Sequence, residues 1–178
     1  KELIKIIAQK IYDNNVVGWY QDRMEWGPRA LGNRSILANP CNPNMKDIIN
    51  SKIKRRENFR PFAPSILKEE VENWFEINQT APYMSIVLYI NKNKRLKLPA
   101  VTHVDGTGRL QTVDQKKNKL FYDLIKNFST LSGVPILLNT SFNENEPIVN
   151  TPDEALDCFL RTKMDILVIE NYIILRNF

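Results

Sequence analysis

Histidine, cysteine and long apolar runs are scarce in this sequence, and each scarcity closes off a class of function. The 178 residues contain one histidine, His103, and two cysteines, Cys41 and Cys158, which lie far apart without metal-ligand or redox spacing. A metal centre built from these residue types needs clustered ligands, so none is expected in this chain. Isolated thiols suit a reduced, cytoplasmic protein rather than a disulfide framework. No apolar run approaches the roughly 20 residues of a membrane span, so no membrane partner is expected. No signal peptide is visible; the chain opens on Lys1, directly in a helical pattern, and reads as a piece of a longer protein. Internal repeats, linkers and low-complexity stretches are also missing, so residues 1–178 read as one domain. No nucleophile–base pairing stands out. Any catalysis would then work by positioning and charge neutralisation, as in phosphoryl or nucleotidyl transfer.

What is present is positive charge in one place. Between Asp22 and Arg60 there are nine Lys or Arg and four Asp or Glu, a surplus that equals the formal net charge of +5 for the whole chain. A surplus confined to one stretch, interrupted by Gly, Pro and Asn, points to a small polyanion before it points to nucleic acid, although a pI near 9.2 would permit the latter. Arginine dominates the stretch, and its planar fork of donors matches phosphate oxygens in pairs.

The periodicity of Leu3, Ile7 and Ile11 predicts a helix over Glu2–Asp13, followed by a buried strand over 16–21. The Gly- and Arg-rich loop leaves that strand's end, a usual location for ligand loops on α/β scaffolds. Residues 36–38 are too short to assign. Pro43 opens a helix reaching about Lys52, and RRENFRPFAPS is expected to be extended because its prolines resist helix. A short helix over 68–75, a strand over 83–90 and a polar connector over 91–97 follow. PAVTHVDGTGRLQTV (99–113) reads as two short strands around a turn at 105–108. A helix ends at Gly133, VPILLNT is a buried strand, and Thr151-Pro152-Asp153-Glu154 is a capping box opening a helix to about Thr162. DILVIE and YIILR are two strands, read as a hairpin about Asn171. Strands interspersed with helices make an α/β domain with a mixed sheet.

Three constellations carry the chemistry. Gly27 and Gly32 enclose four residues before Asn33-Arg34-Ser35, close to a phosphate-binding P-loop but with Asn33 in place of its lysine. A Gly-rich turn with free N–H groups beside Arg23, Arg29 and Arg34 could still hold phosphate; a buried network with Glu25 is the alternative. Lys54, Arg56 and Arg60 follow on the extended segment, where alternation aims Lys54 and Arg56 to one side and Arg55 to the other. Two converging cations call for an anion, while an edge strand protected by charge is the plainer reading. Asn139, Thr140, Ser141 and Asn143 follow a buried strand and offer hydrogen bonds without charge; turn formation is their ordinary role. His103 reads as structural, Asp105 as a turn residue before a Mg²⁺ ligand, and Arg161 as a surface residue favoured by the helix dipole.

Taken together, DRMEWGPRALGNRSI (22–36), KRRENFRPFAPS (54–65), VTHVDGTGRLQTV (101–113) and GVPILLNTSFNENEPIV (133–149) resemble the C-terminal domain of the carbamoyltransferase family, in order and over nearly the whole chain. Asp22 and Asn58 depart from the family pattern, which usually has Gly and often Pro there; neither removes a charged group. The resemblance implies a YrdC-like twisted mixed sheet with flanking helices and a basic cavity. It implies that carbamoyl phosphate and ATP, with Mg²⁺, give carbamoyl-adenylate and pyrophosphate. An N-terminal domain holding a metal ion then passes the carbamoyl group to a hydroxyl of a small-molecule acceptor. Lys54 and Arg56 match the K-x-R, and Ser141 and Asn143 the S-x-N, of YrdC-like proteins, and are carried over as catalytic. Arg23, Arg29, Asn33, Arg34, Arg60, Asn139 and Thr140 are carried over as nucleotide-binding. A basic double-stranded RNA-binding module and a structural lid without catalysis are the competing readings. Against the first, aromatics do not interleave with the basic residues.

Overall fold

Residues 2–176 are described by the computed structural model of the chain. The opening periodicity forms helix α1 (Glu2–Tyr12), which buries Ile4, Ile7, Ala8 and Ile11 along one stripe and packs on the longest helix, α4 (Lys119–Ser132). The short apolar runs form strands: β1 (Val17–Tyr20), β2 (Arg34–Ala38), β3 (Ala63–Leu67), β4 (Ile86–Tyr89), β5 (Thr107–Val113), β6 (Ile136–Ser141), β7 (Ile166–Ile169) and β8 (Tyr172–Leu175). They join one mixed sheet in the order β4-β5-β3-β6-β2-β1-β7-β8. The pairs β1–β7 and β3–β5 are parallel and the others antiparallel. β2, too short to assign from its sequence, is buried throughout and sits at the sheet's centre.

The expected short helix after β3 forms as a 3-10 turn, Lys68–Glu70, running into α3 (Val71–Trp74), and local signals account for the ends of the longer helices. Gly133 closes α4 with φ 71° and donates to Ser129 O, a left-handed cap that glycine adopts without strain. Thr151 and Glu154 form the reciprocal capping box that opens α5 (Pro152–Arg161), and β7 and β8 form the expected hairpin.

Two expectations are corrected. Residues 99–113 hold one strand, not two. Before β5 the backbone bonds locally, with Thr102 donating to Leu98 O and His103 N–H to Thr107 O. Asp105 makes the turn, its Oδ1 accepting from Thr107 N–H and Oγ1 at 3.0 and 2.7 Å. Lys54 is not on an extended segment either. Helix α2 (Met45–Ile49) runs on into a π-helical turn, Asn50–Lys54, which Arg55 ends in a left-handed conformation with φ 45°. Asn50 dictates this route: its carbonyl accepts from Arg56 N–H, and its buried side chain accepts from Arg56 Nε and donates to the backbone oxygens of Asn58 and Arg60. Alternation along a strand therefore does not apply.

The topology sets the location of the site. β6 lies antiparallel between β3 and β2. Its C-terminal end therefore meets the N-terminal ends of both, and of β5, which runs parallel to β3. The loops over 21–33, 55–62, 99–106 and 142–150 gather at this one end of the sheet.

Candidate functional site

The arginine loop joins β1 to β2. Three of its backbone N–H groups are already taken and are not free for phosphate. Glu25 Oε1 accepts from the N–H groups of Leu31 and Asn33 at 2.7 Å each and of Arg34 at 3.3 Å. A carboxylate of the loop itself fills the nest that such turns offer to anions. Arg34 is buried, donates to the backbone oxygens of Gln21, Asn33 and Asp22, and stacks 3.5 Å over Tyr20. Asn33 ties its side chain to Arg23 O and Asn118. Both residues shape the loop, and neither lines the cavity beside it. Gly32 is required here. Its φ is +114°, and a Cβ would stand 2.3 Å from the Phe121 ring, which packs flat against it. Arg23 is exposed, as is Arg60, which pairs with Glu57 at 3.0 Å.

Beside this loop lies a cavity of about 100 Å³. Arg29, Arg56 and Arg109 line it from three different elements, with Asn139, Thr140 and Ser141 at its floor and no carboxylate anywhere in the lining. Arg56 is aimed by Asn50 Oδ1, 2.7 Å from Nε, and by the Phe62 ring at 5.0 Å. Burial, then the charges of Arg60 and Arg109, pull the Arg56 guanidinium below its ordinary range, although Glu57 partly opposes them. Burial and Arg29 do the same to Arg109. Three cations held together against these penalties create a strong preference for an anion between them.

Asn139 belongs to a buried polar chain across β5, β3 and β6. Gln111 Nε2 donates to Leu31 O at 2.7 Å, which turns its Oε1 toward Ser65 Oγ and Asn139 Nδ2, at 2.5 and 3.0 Å. Asn139 Nδ2 also lies 3.3 Å from Ala30 O. The sheet thereby holds the arginine loop by two consecutive carbonyls, those of Ala30 and Leu31.

Lys54 lies beneath Ser141 and Asn143 and is 2% exposed. Its Nζ donates to Ser141 O and Asn143 O at 2.7 Å each and to Asn143 Oδ1 at 2.6 Å, with Ser141 Oγ at 3.3 Å. Burial, reinforced by the charge of Arg56, pushes the ammonium down to about 7. The structure thus brings together all four residues of the K-x-R and S-x-N pairs, with Lys54 under the loop and Arg56 in the cavity. The loop is braced from its far side. Asn143 Nδ2 donates to Glu146 O at 2.6 Å, and the Glu146 carboxylate accepts from the N–H groups of Glu144 and Asn145. Burial alone would raise the Glu146 carboxyl; these backbone N–H groups and Arg161 hold it to about 2. Arg161 is more than a surface residue at a helix end. It bridges Asp157, Glu144 and Glu146, while Arg55 pairs with Glu144 at 3.1 Å and donates to Arg161 O.

The arginine missed from sequence is Arg109, the one charged residue of β5. A lone arginine inside an otherwise buried strand was the available signal. Gln111, Ser65 and Asn50, which aim the site residues, carry no such signal.

The chain matches the family described as "Carbamoyltransferase C-terminus" over residues 8–176. It is 51% identical to nodulation protein NolNO of Sinorhizobium fredii, over 94% of this chain and 25% of that protein. It belongs to the carbamoyltransferase C-terminal family. The uncharacterized protein sll1178 of Synechocystis is 45% identical over 98% of this chain and 32% of its own length. The chain thus spans about a third or less of the length of these relatives. Among solved structures, full-length HypF in its phosphate- and nucleotide-bound form superposes with a TM-score of 0.66 at 17% identity, over 94% of this chain and 25% of that one. The fold is the YrdC-like mixed sheet that the sequence motifs imply.

Proposed function

We infer that this carbamoyltransferase domain binds carbamoyl phosphate and ATP and forms carbamoyl-adenylate, for transfer to an acceptor hydroxyl by the rest of a longer protein. The observation that carries this reading is the convergence of Arg29, Arg56 and Arg109 on a cavity with no carboxylate in its lining. The phosphate- and nucleotide-bound state of HypF, which shares the fold, supports it. Carbamoyl phosphate first loses its phosphoryl group to water, giving carbamate and inorganic phosphate. A carbamate oxygen then attacks the α-phosphorus of ATP, and the bond to the pyrophosphate oxygen breaks. Both reactants are anions. The three guanidinium groups lower the cost of their approach and stabilise charge building on the leaving pyrophosphate. Ser141 and Thr140, at the end of β6, offer hydrogen bonds that orient the carbamoyl group without adding charge.

Mg²⁺ fits this site only as the companion of the nucleotide. No group of three His, Cys, Asp or Glu side chains is placed to hold a metal ion among the described residues, and the cavity lining supplies no carboxylate. Phosphate oxygens would be its ligands. Among the described residues no helix is long and apolar enough to cross a membrane, and the free thiols of Cys41 and Cys158 suit the proposed cytoplasmic setting.

Calorimetric titration with ATP and Mg²⁺ tests the reading. Arg56→Ala and Arg109→Ala are each expected to weaken binding by about 1.5–3 kcal/mol, the range for a lost hydrogen bond to a charged group. Wild-type chain that binds no ATP would leave the structural-lid reading in its place. If it binds, pyrophosphate release on adding carbamoyl phosphate reports the adenylation step.

A further inference from the structure

The geometry points to Trp26 as the stacking surface for the base of the nucleotide, at the mouth of the arginine cavity; this rests on the nucleotide reading above. Of the three tryptophans, Trp19 and Trp74 are buried, at 0% and 4% exposure, whereas Trp26 is fully exposed at 103%. A single exposed apolar side chain is ordinary. The position of this one is not. Trp26 is two residues from Pro28 and three from Arg29, both in the cavity lining, so its Cα lies within about 7 Å of that of Pro28. The loop on either side is fixed, because Glu25 is bound to the N–H groups of Leu31, Asn33 and Arg34. The backbone that carries the indole is therefore fixed beside the cavity, and the ring itself is open to solvent. Phe59, 74% exposed and two residues from the lining residue Pro61, adds apolar surface from a second loop.

The size of the cavity decides what lies outside it. About 100 Å³ is well below the roughly 300–1,000 Å³ of pockets that enclose a whole small ligand, so it has room for one anionic group but not for a ribose and a base as well. When a phosphate of the nucleotide occupies the arginines, the base is left at the mouth. An indole face there offers stacking, worth about 1–3 kcal/mol per base and tolerant of base identity. Trp26 would thus add affinity for a purine nucleotide while discriminating little between adenine and guanine.

The test uses tripolyphosphate, which has the charge of ATP without ribose or base, with Mg²⁺ present throughout. Because the other two tryptophans are buried, acrylamide quenching of fluorescence reports on Trp26. Both ligands are expected to bind, ATP about 5- to 150-fold more tightly, and only ATP should quench and shield the exposed emission. Trp26→Ala, at a fully exposed site that leaves the core intact, should bring ATP down to the affinity of tripolyphosphate, whereas Trp26→Phe should keep most of the difference. Equal affinities in the wild-type chain, or an ATP advantage that survives Trp26→Ala, would overturn the assignment while leaving the anion site in place. Binding of neither ligand would overturn the nucleotide reading itself, and this inference with it.

Discussion

Replacing Lys54 by methionine should remove a specific pH dependence of stability. Burial, with the charge of Arg56 adding to it, pushes the Lys54 ammonium from its ordinary 10.5 down to about 7. In the unfolded chain the amine regains its ordinary value. Between about pH 7 and 10.5 the unfolded state therefore binds one proton more than the folded state, and stability rises with pH. The roughly 3.5 pH units separating the two values, at about 1.36 kcal/mol each, set the total gain near 5 kcal/mol. Tyrosines and cysteines titrate in the same range, so the quantity to follow is the difference between wild type and Lys54→Met, measured by urea unfolding from pH 5 to 10. The difference should move in favour of wild type by several kcal/mol as pH rises through 7–10, and should be flat below pH 6. A counterforce makes the test severe. Three oxygens, those of Ser141, Asn143 and the Asn143 side chain, lie 2.6–2.7 Å from Nζ, and a neutral amine has only two N–H groups to serve them. A flat difference across the whole range would mean that these bonds keep Lys54 charged and that the burial argument is wrong.

Arg161→Ala removes the guanidinium that joins α5 to Glu144 and Glu146. Faster amide exchange at Glu144 and Asn145, with little change in global stability because the pairs are surface ones, is the expected result; unchanged exchange would mean that Glu146 holds the loop alone. Gly32→Ala combines a left-handed φ of +114° with a Cβ 2.3 Å from Phe121, and should cost about 2–4 kcal/mol in a denaturation midpoint experiment. A loss below 1 kcal/mol would show that the Phe121 ring moves aside easily.

The sequence discloses elements better than it discloses the aim of side chains. The α4 and α5 boundaries follow from signals within a few residues, an αL glycine and a capping box, so they are legible locally. Lys54 and Ser141 are found by motif, yet their contact joins residues 87 apart and depends on a π-helical turn that nothing in NSKIK announces. Prolines 61 and 64 do keep their neighbours extended, but Asn50, upstream, decides where Lys54 points. The same holds for Glu25. Its charge is visible in the sequence, but its binding of three backbone N–H groups instead of an arginine is set by the closure of a loop whose ends are fixed by β1 and β2.

That placement of carboxylates explains how a local surplus of charge becomes a site. The acids of the loops around the cavity lie outside its lining. Glu25 is spent on backbone N–H groups, Glu57 pairs with Arg60 outside the lining, and Glu144 and Glu146 brace the Ser141–Asn143 loop through Arg55 and Arg161. None is left to neutralise Arg29, Arg56 and Arg109. Arginines whose only purpose was structural would be expected to resemble Arg34, buried with its terminal nitrogens on carbonyls and its plane on a ring. The cavity arginines differ in facing one another, an arrangement that costs stability without a ligand and gains affinity with one. An anion that bridges them should therefore stabilise the fold as it binds, and ATP or tripolyphosphate should raise the melting temperature of wild type more than that of Arg109→Ala. An equal rise in both would show that the anion is held elsewhere.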